Sequence, residues 1–218
     1  MIADNVVVAD KVQKKTSVLC VDDHWLVRDG LTLIVNRMPD MAVVASAASG
    51  EEAIAVFRAQ RPAITLMDLQ LPVMSGIDAI REIRQIDPVA KIIVLTVLQG
   101  DEDVYRALQA GACTYLLKDT VAEELIRVIR EVREGKYPVT PYVQSRLDVR
   151  RSHPGMSARE LQVLGLIAEG MRNREIGASL GISEETVQVH VKHILEKLRV
   201  KDRSAAITAA IRRGIIHV

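Results

Sequence analysis

Ser17-Val-Leu-Cys-Val-Asp-Asp-His24 is an apolar run that ends in two adjacent carboxylates. The run 18–21 is strand length and unbroken by polar residues, which suits a strand buried on both faces. Such a strand needs neighbours, and four more short runs follow at 41–45, 64–67, 92–95 and 115–117. Amphipathic stretches lie between and after them, at 24–38, 50–60, 76–86, 102–110 and 121–134. Two open with capping-box spacing, Ser49 to Glu52 and Thr120 to Glu123. Five strands alternating with five helices predict an α/β domain over residues 16–134, a parallel sheet covered on both faces.

Polar residues stop the strands at one end. Asp22 and Asp23 end the first, Asp68 the third, Thr96 the fourth and Lys118 the fifth. All five therefore fall on the carboxyl edge of one sheet, where open α/β sheets bind ligands. Three carboxylates on one edge repel each other and favour a hard cation such as Mg²⁺. Asp68 is then placed as a carboxylate nucleophile that forms an acyl phosphate, with Lys118 as cation and Thr96 as hydroxyl donor.

Beyond residue 134 the pattern changes. Residues 135–154 carry three prolines and a basic cluster, and read as a linker with one short helix at 141–150. From Ser157 the chain is helical, with a capping box from Ser157 to Glu160 and helices predicted at 158–168, 173–180, 184–198 and 203–213. Ile176 and Leu180, then Val187, Val191, Ile194 and Leu198, recur at helical spacing and make packed faces. The opposite face of the third helix carries Gln188, Val189, Lys192 and His193, the layout of a helix-turn-helix whose second helix enters a major groove. Arg172, Arg174, Lys197, Arg199, Lys201 and Arg203 surround it as partners for phosphates.

Charge follows the same division. Residues 1–134 hold 15 basic and 20 acidic side chains, residues 135–218 hold 14 and 8, and the whole chain is +1. An acidic module is joined to a nucleic-acid-facing one. Residues 1–15 have neither the layout of a secretory signal nor a clear fold, and are expected to be a loose tail. No apolar run is long enough for a membrane span. Cys20 and Cys113 lie far apart beside apolar stretches, as small core residues of a reducing compartment, the cytoplasm.

LCVDDH (19–24), LMDLQLPVMSG (66–76), IIVLTV (92–97) and GACTYLLKD (111–119) together resemble the receiver domain of response regulators. The resemblance implies a flavodoxin-like strand order 2-1-3-4-5 and phosphorylation of Asp68 by a sensor histidine kinase. It implies Mg²⁺ held by Asp22, Asp23, Asp68 and the backbone carbonyl of Gln70. Thr96 and Tyr115 become a switch pair: the threonine moves toward the phosphoryl group and the ring follows it inward. Trp25 and Leu71 stand where that family more often has Pro and Met.

GMRNREIGASLGISEETVQVHVKHILEKLRV (170–200), with SARELQVLGLIAEG before it and DRSAAITAAIRRGII after it, resembles the LuxR-type DNA-binding domain over residues 155–218. The pair of domains is similar to the NarL/FixJ class. That implies bases and backbone under Gln188, Val189 and Lys192, a homodimer when phosphorylated or on double-stranded promoter DNA, and a resting state in which the receiver covers the recognition helix with 135–154 as hinge. Gln188 replaces the commoner Lys and Arg172 the commoner Ser or Thr, so base preference does not carry over.

Two other functions fit less. A phosphohydrolase of the haloacid dehalogenase type places its nucleophile on the first strand as DxDx[TV], whereas here that strand ends in adjacent aspartates and the chain has no cap domain. No enzyme beyond self-phosphorylation and slow self-dephosphorylation is expected. An autoinducer pocket needs aromatic walls, and the chain is 3% aromatic.

Overall fold

The computed structural model describes residues 15–217; most of the expected N-terminal tail lies outside them. Five strands, β1 (Thr16–Val21), β2 (Met41–Ala47), β3 (Ile64–Met67), β4 (Ile92–Thr96) and β5 (Thr114–Leu117), form one parallel sheet in the order β2-β1-β3-β4-β5. Helices α1 (Trp25–Asn36), α2 (Gly50–Gln60), α3 (Gly76–Ile86), α4 (Asp101–Ala110) and α5 (Ala122–Arg133) connect and follow the strands.

Alternate residues of each strand supply two cores, as the two-residue repeat of a strand requires. Leu19, Val21, Met67, Val94 and Tyr115 face the helices α2 to α4. Val18, Cys20, Ile64, Leu66, Ile93 and Leu116 face α1 and α5. Cys20 is fully buried. Burial, then the nearby Asp22 charge, pushes its thiol up to about 12, so it packs as a neutral apolar group. Ser49 caps α2 as expected, accepting from the Glu52 amide at 3.2 Å. Thr120 does not cap α5. The helix starts one residue later, with Val121 at the cap position and no side-chain cap bond. The Thr120 amide instead closes a tight turn onto the Leu117 carbonyl, 3.0 Å away.

The stretch after residue 134 holds α6 (Pro141–Arg151), capped by Thr140 and begun with proline at a position that needs no donor. It docks on the α/β domain: Val143 is fully buried in the α2–α4 core, with Tyr142 and Leu147 against it. The remaining helices, α7 (Ala158–Ala168), α8 (Asn173–Leu180), α9 (Glu184–Leu198) and α10 (Arg203–Arg212), enclose a third core of Val163, Leu164, Ile167, Ile176, Val187 and Ile194. The Ser157–Glu160 capping box is complete, each residue's side chain bonded to the other's amide. Among the described residues no helix is long and apolar enough to cross a membrane.

Candidate phosphoacceptor pocket and nucleic-acid interface

Backbone register assembles the acidic edge. The Asp68 amide donates to the Val21 carbonyl at 2.9 Å, which sets Asp68 beside Asp22, and the Lys118 amide donates to the Thr96 carbonyl at 2.9 Å. Lys118 then bridges two carboxylates, with Nζ 2.6 Å from Asp22 Oδ2 and 2.7 Å from Asp68 Oδ2. Burial would lower its pKa, but those two partners outweigh it and the ammonium is held above its ordinary value. The second Asp68 oxygen accepts the Gln70 amide at 3.2 Å, and the second Asp22 oxygen accepts the His24 amide at 3.0 Å. Asp22 and Asp68 are buried, whereas Asp23 is half-exposed with its carboxylate 2.7 Å from His24 Nδ1.

Two further residues contribute, Arg28, which had no sequence signal, and Gly76, which ends the quoted motif 66–76. Arg28, one turn into α1, donates to the carbonyls of Asp22 (2.6 Å) and Asp23 (3.1 Å) and holds the aspartate turn. Gly76 sits where a Cβ would lie 1.9 Å from the Asp68 carbonyl oxygen. Only glycine lets α3 close on the backbone that presents Asp68.

Thr96 and Tyr115 both lie inside the domain. Thr96 is fully buried, and its Oγ1 has no hydrogen-bond partner among the described residues. Tyr115 already lies inward, fully buried, its hydroxyl donating to the Leu98 carbonyl at 2.8 Å and its ring 6.4 Å from that of Tyr142 on α6. The docked linker helix packs beside the ring.

In the other module, Gly181 (φ +66°) ends α8 in the left-handed region and Ser183 caps α9, accepting from the Thr186 amide at 3.2 Å. Gly177 lets α8 approach this turn, since a Cβ there would lie 2.8 Å from the Ile182 carbonyl. Gln188, Val189, Lys192 and His193 all emerge exposed on one side of α9, with Lys192 loosely paired to Glu196 at 3.9 Å. Arg172, Arg174 and Arg199 are exposed as well. Lys197 and Arg203 have duties inside the domain: Lys197 pairs with buried Glu160 at 2.6 Å, and Arg203 bonds Asn173 and the Met171 carbonyl.

The recognition face is open, so the expected covering by the receiver is not found. The receiver meets the end of α10 instead, through Arg213 and His217. A cleft of about 790 Å³ runs along this seam, lined by Asp23, Gln70 and Arg81 on one side and Leu161 and His217 on the other.

Residues 18–130 match the model of the response regulator receiver domain, and residues 154–210 that of the bacterial regulatory proteins of the luxR family. The chain belongs to the response regulators. Its two modules make it a two-component transcriptional regulator with a LuxR-type DNA-binding domain. The response regulator protein VraR of Staphylococcus aureus is 37% identical over 205 residues, covering 92% of this chain and 98% of VraR. The crystal structure of response regulator ChrA of a heme-sensing two-component system is 35% identical, covers 93% of this regulator and 99% of its own chain, and superposes with a TM-score of 0.56. A chain of the CheX–CheY–BeF₃–Mg²⁺ complex from Borrelia burgdorferi is 26% identical, covering 55% of this chain and 90% of its own, with a TM-score of 0.52.

Proposed function

We propose that Asp68 accepts a phosphoryl group from a sensor histidine kinase in the cytoplasm, and that this modification controls promoter binding by α9. One observation carries the reading: two buried carboxylates share a single lysine, whose amide bonds the backbone of a threonine with a buried hydroxyl that has no partner among the described residues. With Asp23, three carboxylates against Lys118 leave two negative charges, which one divalent cation would balance. The oxygen donors suit Mg²⁺, held by Asp22, Asp23, Asp68 and the Gln70 carbonyl. When bound, Mg²⁺ would shield the incoming phosphate from the carboxylates.

An Asp68 oxygen attacks phosphorus, the P–N bond to the kinase histidine breaks, and the imidazole leaves with a proton from solvent. Lys118 can follow its carboxylate partner onto the phosphoryl oxygens, and Thr96 can donate to one of them. The chain acts only on itself, losing the phosphoryl group slowly to water. The direct test is incubation with acetyl phosphate and Mg²⁺, mapping of the modified residue, and DNA binding before and after.

Asp23 is the carboxylate least engaged by the protein, so Asp23→Ala should weaken Mg²⁺ binding most. Isothermal titration is expected to show at least a tenfold loss of affinity (about 1.4 kcal/mol) and only a smaller one for Asp22→Ala. Equal affinities for wild type and Asp23→Ala would remove Asp23 from the ligand set.

A homodimer is expected to read two inverted half-sites. Gln188 suits adenine N6/N7, half-exposed Val189 a thymine methyl, and Lys192 guanine or phosphate. Gln188→Ala should cost ~1–3 kcal/mol at the preferred site and relax one base pair. Lys192→Ala should lower the salt slope by about one if it meets phosphate. Binding-site selection with wild type and Gln188→Ala checks this; identical preferences would assign the reading to its neighbours.

A further inference from the structure

His24 stands at the N-cap of α1 and makes no side-chain cap bond among the described residues. A capping side chain ordinarily turns back to the helix amides. This ring turns instead to the aspartates before it, with Nδ1 2.7 Å from Asp23 Oδ1 and 3.6 Å from Asp22 Oδ1. It is 70% exposed, so packing does not force it there. Among the described residues, Asp22, Asp23 and His24 are the one group of three metal-ligating side chains whose ligand atoms all lie within 4.8 Å of one another.

The backbone fixes this convergence. The Asp22 amide donates to the Ala47 carbonyl at 3.1 Å, the His24 amide donates to Asp22 Oδ1 at 3.0 Å, and Arg28 holds the carbonyls of both aspartates. The Asp22 carboxylate is divided between two neighbours: Oδ2 meets Lys118 at 2.6 Å, and Oδ1 is on the His24 side. Donors held by one ion at about 2.0–2.2 Å lie roughly 2.8–3.6 Å apart, for angles between right and tetrahedral. The observed 2.7 and 3.6 Å fall close to the two ends of that range, and an exposed ring can centre itself by rotating. Against a carboxylate, Nδ1 is the donor. With that hydrogen on Nε2 instead, the same atom offers a lone pair in the same place.

We infer that His24, with Asp22 and Asp23, forms a mixed nitrogen-and-oxygen site that prefers Zn²⁺, or a similar borderline ion such as Co²⁺, to Mg²⁺. This rests on the Mg²⁺ site proposed above, because it shares two of its carboxylates, and adds a donor of different chemistry. Mg²⁺ takes oxygen ligands and dehydrates reluctantly, so an imidazole gains it little. Zn²⁺ accepts imidazole and carboxylate together. The two ions therefore compete for Asp22 and Asp23, and only one of them is sensitive to His24.

His24→Asn and His24→Ala test this on the full chain without an affinity tag, by isothermal titration with Zn²⁺ and separately with Mg²⁺. Asn keeps a hydrogen-bond donor for Asp23 but has no imidazole, and Ala has neither. Wild type should bind Zn²⁺ more tightly than Mg²⁺. Both variants should lose roughly 10–100-fold in Zn²⁺ affinity, which even the loss of a ligand's supporting partner costs, and should bind Mg²⁺ as wild type does. Trp25, the next residue and the chain's one tryptophan, locates the ion. Co²⁺ should quench its fluorescence in wild type and leave it bright in the variants at the same concentration. Unchanged Zn²⁺ affinity in both variants overturns the site. So do equal losses for Zn²⁺ and Mg²⁺, which would leave His24 only positioning Asp23. If wild type binds Zn²⁺ through His24 yet neither binds Mg²⁺ nor is phosphorylated with it, the site stands and the phosphorylation reading fails. Phosphorylation with Mg²⁺ and no His24-dependent Zn²⁺ binding keeps that reading and removes this one.

Discussion

Asp68→Asn should reduce acetyl-phosphate-driven modification to background, the largest single effect expected in the receiver. The amide keeps the shape of the side chain, and its oxygen can still accept from the Gln70 amide or from Lys118. What disappears is the anionic nucleophile. No neighbour is placed to replace it. Both Asp22 oxygens are bonded, one to Lys118 and one to the His24 amide, and its carboxylate is 1% exposed. Asp23 faces the cleft beside His24 and has no lysine on it among the described residues. The fold should survive, because Lys118 retains Asp22 as a charged partner. Intact-mass spectrometry after incubation, with unfolding followed by circular dichroism, checks both halves. A phosphorylation yield in Asp68→Asn equal to that of wild type would exclude Asp68 as the acceptor.

Much of this site was legible in the sequence because strand ends are legible. An apolar run stops where polar residues begin, and in a parallel sheet all such stops on one edge are neighbours. Asp22, Asp68, Thr96 and Lys118 follow from that rule alone. The helix-turn-helix was equally plain, since Ile176, Val187, Ile194 and Leu198 are a repeat with one geometric solution. The misses share a cause: contacts made at long range. The short helix expected at 141–150 is present as α6, but its mostly polar sequence does not announce that it packs beside Tyr115. Its docking rests on Val143, Tyr142 and Leu147 rather than on a full apolar stripe. Asp101, Glu102 and Asp103 look like a dipole-favouring helix start, and nothing local announces that Arg213 lies 112 residues away in sequence and His217 114. Lys197 and Arg203 illustrate the converse. Basic residues beside a recognition helix look like phosphate partners, yet both hold their own domain together.

Ile194→Ala should disable the DNA-binding domain and spare the receiver. Ile194 is fully buried on α9, among Val163, Leu164, Ile176 and Val187. Truncating such a side chain removes transfer free energy and leaves a cavity, together ~2–5 kcal/mol. The helices cannot easily close on the gap, because polar ties fix their spacing: Glu160 to Lys197 between α7 and α9, and Arg159 to the Leu180 carbonyl (2.8 Å) between α7 and α8. A unit of this size buries a smaller share of its surface than a large domain and has little stability in reserve. At roughly 4–8 °C per kcal/mol for such a domain, its melting transition should fall by about 8–40 °C. The receiver draws none of its two cores from α7–α10, so phosphorylation at Asp68 should proceed as in wild type. Val189→Ala is the control on the same helix. Val189 is 51% exposed, so its loss should change stability by no more than about 0.5 kcal/mol while still weakening DNA binding. Calorimetry and promoter binding on the two variants separate packing from reading. If Ile194→Ala and Val189→Ala were equally stable, the exposed and buried faces of α9 would have been assigned the wrong way round.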